Sequence, residues 1–345
     1  MAEVSFGEGE SLLVAARGRG PEHGLWRFVG GPGGWQGSQL ATVGQLSSLC
    51  RHPTLPVVYG SGSVRGVILA WHVAGEAAAP IGEALSGDDP CFIAVDPSGR
   101  LLVAVNYGSS DLTLMPLAAD GSFEGPPAKL LLEGGGPDPE RQEAAHPHQA
   151  LFHDGKLFVI DLGGDRIRSF TVDLDAPGAA VLKPVGDHHL PPGTGPRHGV
   201  FLPDGRLAVS GELASNLAVG FLEGPSNWTT APGTLRAGPA KTRTNRNYPG
   251  DIQRSTDGAF VYLANRGHDT IAAFDVRGGL PKLVAEIDAG AAWPQHLLVH
   301  AGHLLVAGWD SARVMAVPLG VDSFAGSAEA LFDCPGAGWL MLYSG

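Results

Sequence analysis

The sequence predicts an all-β fold, a seven-bladed β-propeller of four-stranded antiparallel blades. Three observations carry this: an excess of turn residues, a sevenfold repeat, and a strand-turn-strand grammar shared by the copies. Of 345 residues, 51 are Gly and 27 are Pro, roughly twice their usual combined share of about 12%. Hydrophobic residues still make up 43% of the chain, so the excess marks tight turns in a packed fold rather than disorder. Gly and Pro both oppose helix formation, which excludes a helical bundle.

The repeats run in order along the chain. Two looser copies come first, SLLVAARGRGPEHGLWRFV from Ser11 and RHPTLPVVYGSGSVRGVILAWHV from Arg51. Five clearer ones follow: PCFIAVDPSGRLLVAVNYGSSDLTLMPL from Pro90, PHQALFHDGKLFVIDLGGDRIRSFTV from Pro147, PRHGVFLPDGRLAVSGELASNLAVGFL from Pro196, YPGDIQRSTDGAFVYLANRGHDTIAAFDV from Tyr248 and WPQHLLVHAGHLLVAGWDSARVMAVPL from Trp293. Seven copies in 345 residues give a mean period of about 49, within the range of propeller blades. In each copy an apolar strand leads through a turn, often Asp-Gly or Ser-Gly, to a second apolar strand. A polar turn and a third strand follow, and in DRIRSFTV and DTIAAFDV the alternation predicts a half-buried strand. A Pro/Gly-rich stretch with a weaker fourth strand ends the unit. One propeller domain over 1–345 accounts for all of this. Its first and last segments, with LWRFV and GWLMLY, are expected to share a blade and so leave no open edge.

The repeat also locates candidate functional residues. In a propeller, the start of each first strand and the end of the second fall on one face, around one mouth of the channel. At the first register stand Cys91, His148, Arg197–His198, Gly250–Asp251 and Gln295–His296. At the second stand Asn106–Tyr107, Asp161–Leu162, Gly211–Glu212, Asn265–Arg266 and Gly308–Trp309. Large polar and ionisable groups recur there, where a purely structural rim would carry Val, Ser or Thr. Taken singly each has a plain structural role: Asn106 and Asn265 satisfying turn amides, Arg266 pairing at the surface with Asp269. Lys241, Arg243 and Arg246 read as a solvated basic loop.

Charge and motifs narrow the function. The chain has 35 acidic and 23 basic residues, a net charge of −12, and no basic stripe of the kind that nucleic-acid binding needs. Cys50, Cys91 and Cys334 fit no metal or redox spacing. The acidic start MAEVSFGEGE is unlike a signal peptide, and no apolar run approaches the roughly 18 residues of a membrane span. A cytoplasmic protein without nucleic-acid or membrane partners is expected, of unspecified oligomeric state. Gly-x-Ser-x-Gly, His-Glu-x-x-His, phosphate-loop and Gly-x-Gly-x-x-Gly motifs are all absent, so neither a serine nucleophile nor a cofactor is called for. Thirteen histidines could build a metal site, but no spacing singles one out.

The runs GGGPDPERQEAAHPHQALF, VIDLGGDRIRSF, GPRHGVFLPDG, GELASN, YPGDI and ANRGHDTIAAF resemble the seven-bladed lactonase family. That family contains propeller-type 6-phosphogluconolactonases and the fungal carboxy-muconate lactonizing enzyme. The resemblance spans about residues 88 to 310 and departs from the family at Gly211, where Asn is usual. It implies a site of His148, Arg197, Glu212 and Arg266, the four that propeller geometry already draws together. His146, two residues before His148, is the alternative histidine. Arg141, His146, His198, Asp251 and His296 are candidate substrate-binding residues, with Gln142 beside Arg141 as a further closing group. The implied function is hydrolysis of a small anionic lactone such as 6-phosphogluconolactone. A histidine would serve as base, with Glu212 orienting it or serving as base in its place, and the arginines would hold the anion and the developing oxyanion. The alternatives are a lactone-forming muconate cycloisomerase and a non-catalytic binding propeller.

Overall fold

The turn residues set the architecture. Asp154 and Gly155 have φ of 46° and 72°, two consecutive positive values that make the tight hairpin joining Pro147–His153 to Lys156–Asp161. A second device recurs one turn later. Gly66, Ser110, Asp165, Ser215, Asp269 and Ala312 all have positive φ, and each immediately precedes the third strand of its sheet. Small or side-chain-bonding residues tolerate that conformation, which is why Ser and Asp mark these turns in the sequence.

The computed structural model describes residues 9–223, 227–236 and 245–343. Most of the acidic start, together with Lys241 and Arg243, lies outside them. The described strands form seven antiparallel sheets, six of four strands and one of five. The regular structure outside them is a 3-10 turn at Gly178–Val181. The fourth strands that were weak in the sequence are present, as at Ala77–Leu85, Leu182–His189 and Lys282–Asp288. In the sheet holding both ends of the chain, Ala337–Tyr343 pairs antiparallel with Ser11–Ala16, as expected of a closed fold. LWRFV, within Gly24–Gly31, is one strand further out rather than the direct partner of GWLMLY.

Residue packing divides the chain into two compact units. One comprises residues 9–17, 26–38 and 196–343, the other residues 18–25 and 39–195. In the 196–343 unit, successive sheets face each other across apolar layers. Tyr262, Ala264, Ile271 and Ala273 pack toward Leu297, Leu304 and Val306. Leu263, Ala272 and Phe274 pack toward Ala208, Leu217 and Val219. The third strand Thr270–Asp275 therefore buries both faces, and the half-buried reading of DTIAAFDV is corrected. The alternation hid this because Ala272 and Ala273 are small enough to fit between sheets on either side. DRIRSFTV does alternate, with Arg166 and Arg168 partly exposed. In the 39–195 unit an equivalent layer joins Tyr59, Ile68, Ile93, Leu102 and Met115.

One irregularity recurs in every sheet. Register slips in the first strand between Leu46 and Leu49, Pro90 and Phe92, Pro147 and Gln149, Pro196 and Gly199, Pro249 and Ile252, and Pro294 and His296. The terminal sheet slips opposite Gly338, since Ala16 pairs with Ala337 while Ala15 pairs with Trp339. A β-bulge kinks its strand and re-aims the residues within it. The bulged positions are the ones that the repeat singled out at the first-strand starts.

Candidate active site

Within the 196–343 unit, three elements converge on one carboxylate. Arg197 sits in the bulge of Pro196–Phe201, Glu212 follows Leu207–Gly211, and Arg266 ends Phe260–Arg266. Arg266 donates from Nη2 to Glu212 Oε2 at 2.5 Å. The Nε of Arg197 lies 3.2 Å from the same oxygen. All three residues are buried, at 4%, 4% and 8% exposure for Arg197, Glu212 and Arg266. Arg266 is further held by Nε donating to the Tyr248 carbonyl at 3.1 Å and Nη1 to Gln295 Oε1 at 3.4 Å. Its guanidinium lies 5.5 Å from the centre of the Trp293 ring. Trp293 has φ of 55°, an uncommon conformation for a bulky residue, and its amide is fixed by Asp269 Oδ1 at 2.9 Å. Asp269 is thus a backbone anchor, and the surface pairing of Arg266 with it gives way to the buried pair with Glu212.

Beside this trio, a hydrogen-bonded chain crosses four neighbouring first strands. His198 donates from Nδ1 to Asp251 Oδ1 at 2.8 Å. Asp251 Oδ2 accepts the Leu297 amide at 2.8 Å and lies 3.6 Å from His296 Nε2. His296 Nδ1 accepts the Leu340 amide at 3.2 Å, which leaves its proton on the nitrogen facing Asp251. Burial, reinforced by the Arg197 charge, pulls the pKa of His198 down to about 4. Burial lowers that of His296 as well, with Arg197 adding to it and Asp251 opposing. Both imidazoles are therefore neutral donors near pH 7. Burial alone would raise the Asp251 carboxyl, but the two histidines and the Leu297 amide outweigh it and hold the group anionic. Trp339 packs against His296 with ring centres 4.0 Å apart.

In the 39–195 unit, the bulges carry Cys91 and His148. His148 Nδ1 is 3.9 Å from Cys91 Sγ, and Tyr107 meets the His148 ring edge-on at 5.7 Å. His146 precedes the bulge and is bound differently. Its Nδ1 contacts the Tyr107 carbonyl at 2.9 Å, its Nε2 contacts Glu143 Oε1 at 3.1 Å, and its ring stacks on Tyr107 at 4.3 Å. Arg141 is half-buried and donates to the Tyr107 hydroxyl at 3.3 Å. Gln142 does not close over a mouth. It is 1% exposed and bonds the Leu162 carbonyl and the Asp138 amide, a structural role fixed by its burial.

The candidate residues therefore fall into two sets. The first unit brings together Arg197, Glu212 and Arg266, with His198, Asp251 and His296 beside them. The second holds His148, His146 and Arg141. Asn106 and Asn265 prove to be side-chain cross-links rather than caps of turn amides: Asn106 joins Ser86, Asp111 and Thr113, and Asn265 joins Asn247 and Thr270. Among the described residues, no group of three His, Cys, Asp or Glu is placed to hold a metal ion. No described helix is long and apolar enough to cross a membrane.

Comparison with known proteins decides the family. The chain matches the family described as lactonase, 7-bladed beta-propeller, over residues 36–323. The chain belongs to this family. It is 31% identical to a 6-phosphogluconolactonase of Bacillus subtilis (strain 168) over 215 residues, 61% of this chain and 60% of that protein. It is also 31% identical to a 6-phosphogluconolactonase of Formosa agariphila over 206 residues, 57% of each chain. The chain thus spans about three fifths of the length of these relatives. Among solved structures it resembles a Lactobacillus plantarum protein with a TM-score of 0.85 at 23% identity, covering 97% of this chain and 100% of that one. It resembles the periplasmic gluconolactonase of Pseudomonas aeruginosa with a TM-score of 0.80 at 20% identity, covering 97% and 99%. These likenesses show the fold, a seven-bladed β-propeller.

Within this lactonase-family chain, Trp339 and Trp293 are aromatic neighbours of the candidate polar groups that residue-by-residue reading passed over, and Tyr107, already marked by the second register, is a third. Trp339 could have been found. Opposite its bulge, Ala337–Gly338–Trp339 is the copy of Pro294–Gln295–His296, but GWLMLY read only as a closing strand.

Proposed function

We propose that the chain hydrolyses a sugar lactone of the 6-phosphogluconolactone class, without a cofactor, by attack of water on the ring-ester carbonyl. The observation that carries this reading is the buried trio of Arg197, Glu212 and Arg266 in a chain of the lactonase family. Those three side chains sum to one positive charge, and burial strips it of water. A substrate anion or a developing oxyanion offsets that charge. The guanidinium fork suits both a carboxylate-like tetrahedral centre and a phosphate.

In this scheme the water oxygen bonds to the carbonyl carbon while a base removes its proton, and the carbonyl electrons move to oxygen. Collapse of that oxyanion breaks the ring ester, and the departing ring oxygen takes up a proton to give the open acid. His148 is the proposed base, since an imidazole exchanges protons near neutral pH. It is preferred to His146 because it stands in the first-strand bulge, at the register that carries Arg197 and Asp251 in the other sheets. Glu212, bound through Oε2 to two guanidiniums, is a holder of the arginines rather than the base. Free thiols at Cys50, Cys91 and Cys334 support a reducing, cytoplasmic setting. The Pseudomonas protein of this fold is periplasmic, so cell fractionation is the check.

The test is purified protein on 6-phosphogluconolactone, gluconolactone and carboxylated muconates, with acid release followed by pH-stat. Hydrolysis of a sugar lactone well above its spontaneous rate is expected. Turnover of the muconates, or no lactone hydrolysis above background, would overturn the reading.

A further inference from the structure

Arg246 belongs to the stretch that reads as a solvated basic loop, and its surroundings are those of a fixed residue instead. Its Nη2 donates to the carbonyl of Leu213, the residue directly after Glu212. Its guanidinium lies 5.3 Å from the centre of the Tyr248 ring, a cation–π distance. The next residue, Asn247, is 5% exposed and donates through Nδ2 to Ser215 Oγ at 2.9 Å and Asn265 Oδ1 at 2.8 Å. Tyr248 stands opposite Arg266 in the strand pair, and its carbonyl accepts a hydrogen bond from Arg266 Nε. Residues 246–248 are thus tied on one side to the turn that carries Glu212 and on the other to the strand end that carries Arg266. A solvated loop has no need of a buried Asn with two side-chain bonds.

Exposure separates Arg246 from the other two arginines. Arg197 and Arg266 are 4% and 8% exposed, whereas Arg246 is exposed to solvent. We propose that Arg246 is a specificity-determining residue that reads the phosphate of a phosphorylated sugar lactone, while Arg197 and Arg266 hold the reacting end. This rests on the lactone-hydrolysis reading above. In 6-phosphogluconolactone the phosphate hangs outside the ring on C6, separated from the ester carbonyl at C1 by C5 and the ring oxygen, so one guanidinium does not fork onto both and two cationic groups are called for. The phosphate is a strongly hydrated dianion, better met at a solvent-facing rim than in a dry interior. A guanidinium offers it two parallel N–H donors, and stacking on Tyr248 with anchoring to Leu213 reduces the entropy lost on binding.

The experiment compares wild type with Arg246→Ala and Arg246→Lys on two substrates, 6-phosphogluconolactone and gluconolactone. In parallel, calorimetry measures binding of 6-phosphogluconate and gluconate. We expect Arg246→Ala to lower kcat/KM on the phosphorylated lactone on the order of 10- to 100-fold, as loss of one charge-assisted contact does. Gluconolactone should change by less than about threefold. Arg246→Lys should recover part of the loss, since it restores the charge without the fork. Equal losses on both substrates, or none on either, would overturn the proposal. Should wild type hydrolyse neither lactone, the functional reading falls, and binding alone decides Arg246. A preference for 6-phosphogluconate over gluconate that Arg246→Ala abolishes upholds the anion site, and no preference in wild type overturns it. Thermal midpoints of all three proteins separate a folding defect from either outcome, and Arg246→Lys serves if Arg246→Ala does not fold.

Discussion

In the 196–343 unit, the bulges at the starts of the first strands present Arg197, Asp251 and Gln295. In the 39–195 unit the same register presents Cys91 and His148. The first group is ionic, with one carboxylate gripped by two guanidiniums and another by two imidazoles. The second is aromatic and weakly polar, with Tyr107 touching both histidines. The backbone device is common to both and comes with the fold; the chemistry differs because a bulge dictates where a side chain emerges but not which one. In the proposed reaction the ionic set holds charge and His148, in the other unit, exchanges the proton.

Removing the proton-exchanging group should break this division most severely. His148→Gln is expected to lower lactone hydrolysis on the order of 10² to 10⁴-fold, the usual contribution of a positioned base. The wild-type rate should fall on acidification as the base becomes protonated, and the variant should lack that limb. Full activity with the acid limb intact would move the base elsewhere, with His146 next to test.

The charge-holding side comes second. Arg197→Ala and Arg266→Ala should each reduce kcat/KM for an anionic lactone by on the order of 10 to 100-fold, the range for losing one charge-assisted contact. A neutral lactone should lose a similar factor, because the pair is assigned to the reacting end that both substrates share. A loss confined to the phosphorylated lactone would mean that this pair, and not Arg246, reads the phosphate. Glu212→Gln is the complementary variant. It leaves two buried guanidiniums without their shared counter-charge, so it should lower stability by about 3 kcal/mol, read by denaturant titration.

A milder effect separates the second ionic cluster from the first. The pKa of His198 in the folded protein is about 4, against about 6.5 for a free imidazole. Between those values the unfolded chain binds the extra proton and the folded chain does not, so falling pH favours unfolding. Stability should be flat above about pH 7 and decline as pH falls from about 6.5 toward 4, by up to about 1.4 kcal/mol per pH unit. His296, also lowered by burial, acts in the same direction. Replacing His198 by Asn keeps a donor near the Nδ1 position and removes one titrating group, so denaturant midpoints at pH 5 and 7 should draw closer together. An unchanged difference would place the acid sensitivity outside this cluster.

Most of the fold was legible because its signals are local. Asp154–Gly155 makes its own hairpin, and the residue before the third strand declares its turn by being Gly, Ser or Asp in five of the seven sheets. The bulges were not legible, since an inserted residue leaves no mark in a hydrophobic pattern; the recurring polar residues were their indirect trace. Arg197, Glu212 and Arg266 were found by register, but not their sharing of one carboxylate oxygen, which depends on side chains from three strands meeting. The contacts of Arg246 were not legible for the same reason. Its partners Leu213 and Tyr248 are apolar or aromatic letters, and only the fold turns a carbonyl and a ring face toward it.

The smallest expected effect tests whether burial, rather than residue type, sets an arginine's weight. Arg141 and Arg197 are both candidate contacts, yet Arg197 is 4% exposed and sits 3.2 Å from a carboxylate. Arg141 is half-buried, donates to the neutral Tyr107 phenol at 3.3 Å, and also interacts with the exposed Glu143 carboxylate. A hydrogen bond between a partly exposed cation and a neutral hydroxyl contributes about 1 kcal/mol, because water replaces it readily. Tyr107 does not depend on that bond for its position: its ring stacks on His146 at 4.3 Å and its carbonyl meets His146 Nδ1 at 2.9 Å. Arg141→Ala should therefore change kcat/KM by no more than about fivefold, as fits partly exposed contacts that water replaces, and leave the acid limb of the pH profile unmoved. A loss as large as that of Arg197→Ala would show that Arg141 contacts the substrate directly, and the division between a charge-holding and a proton-exchanging set would have to be redrawn.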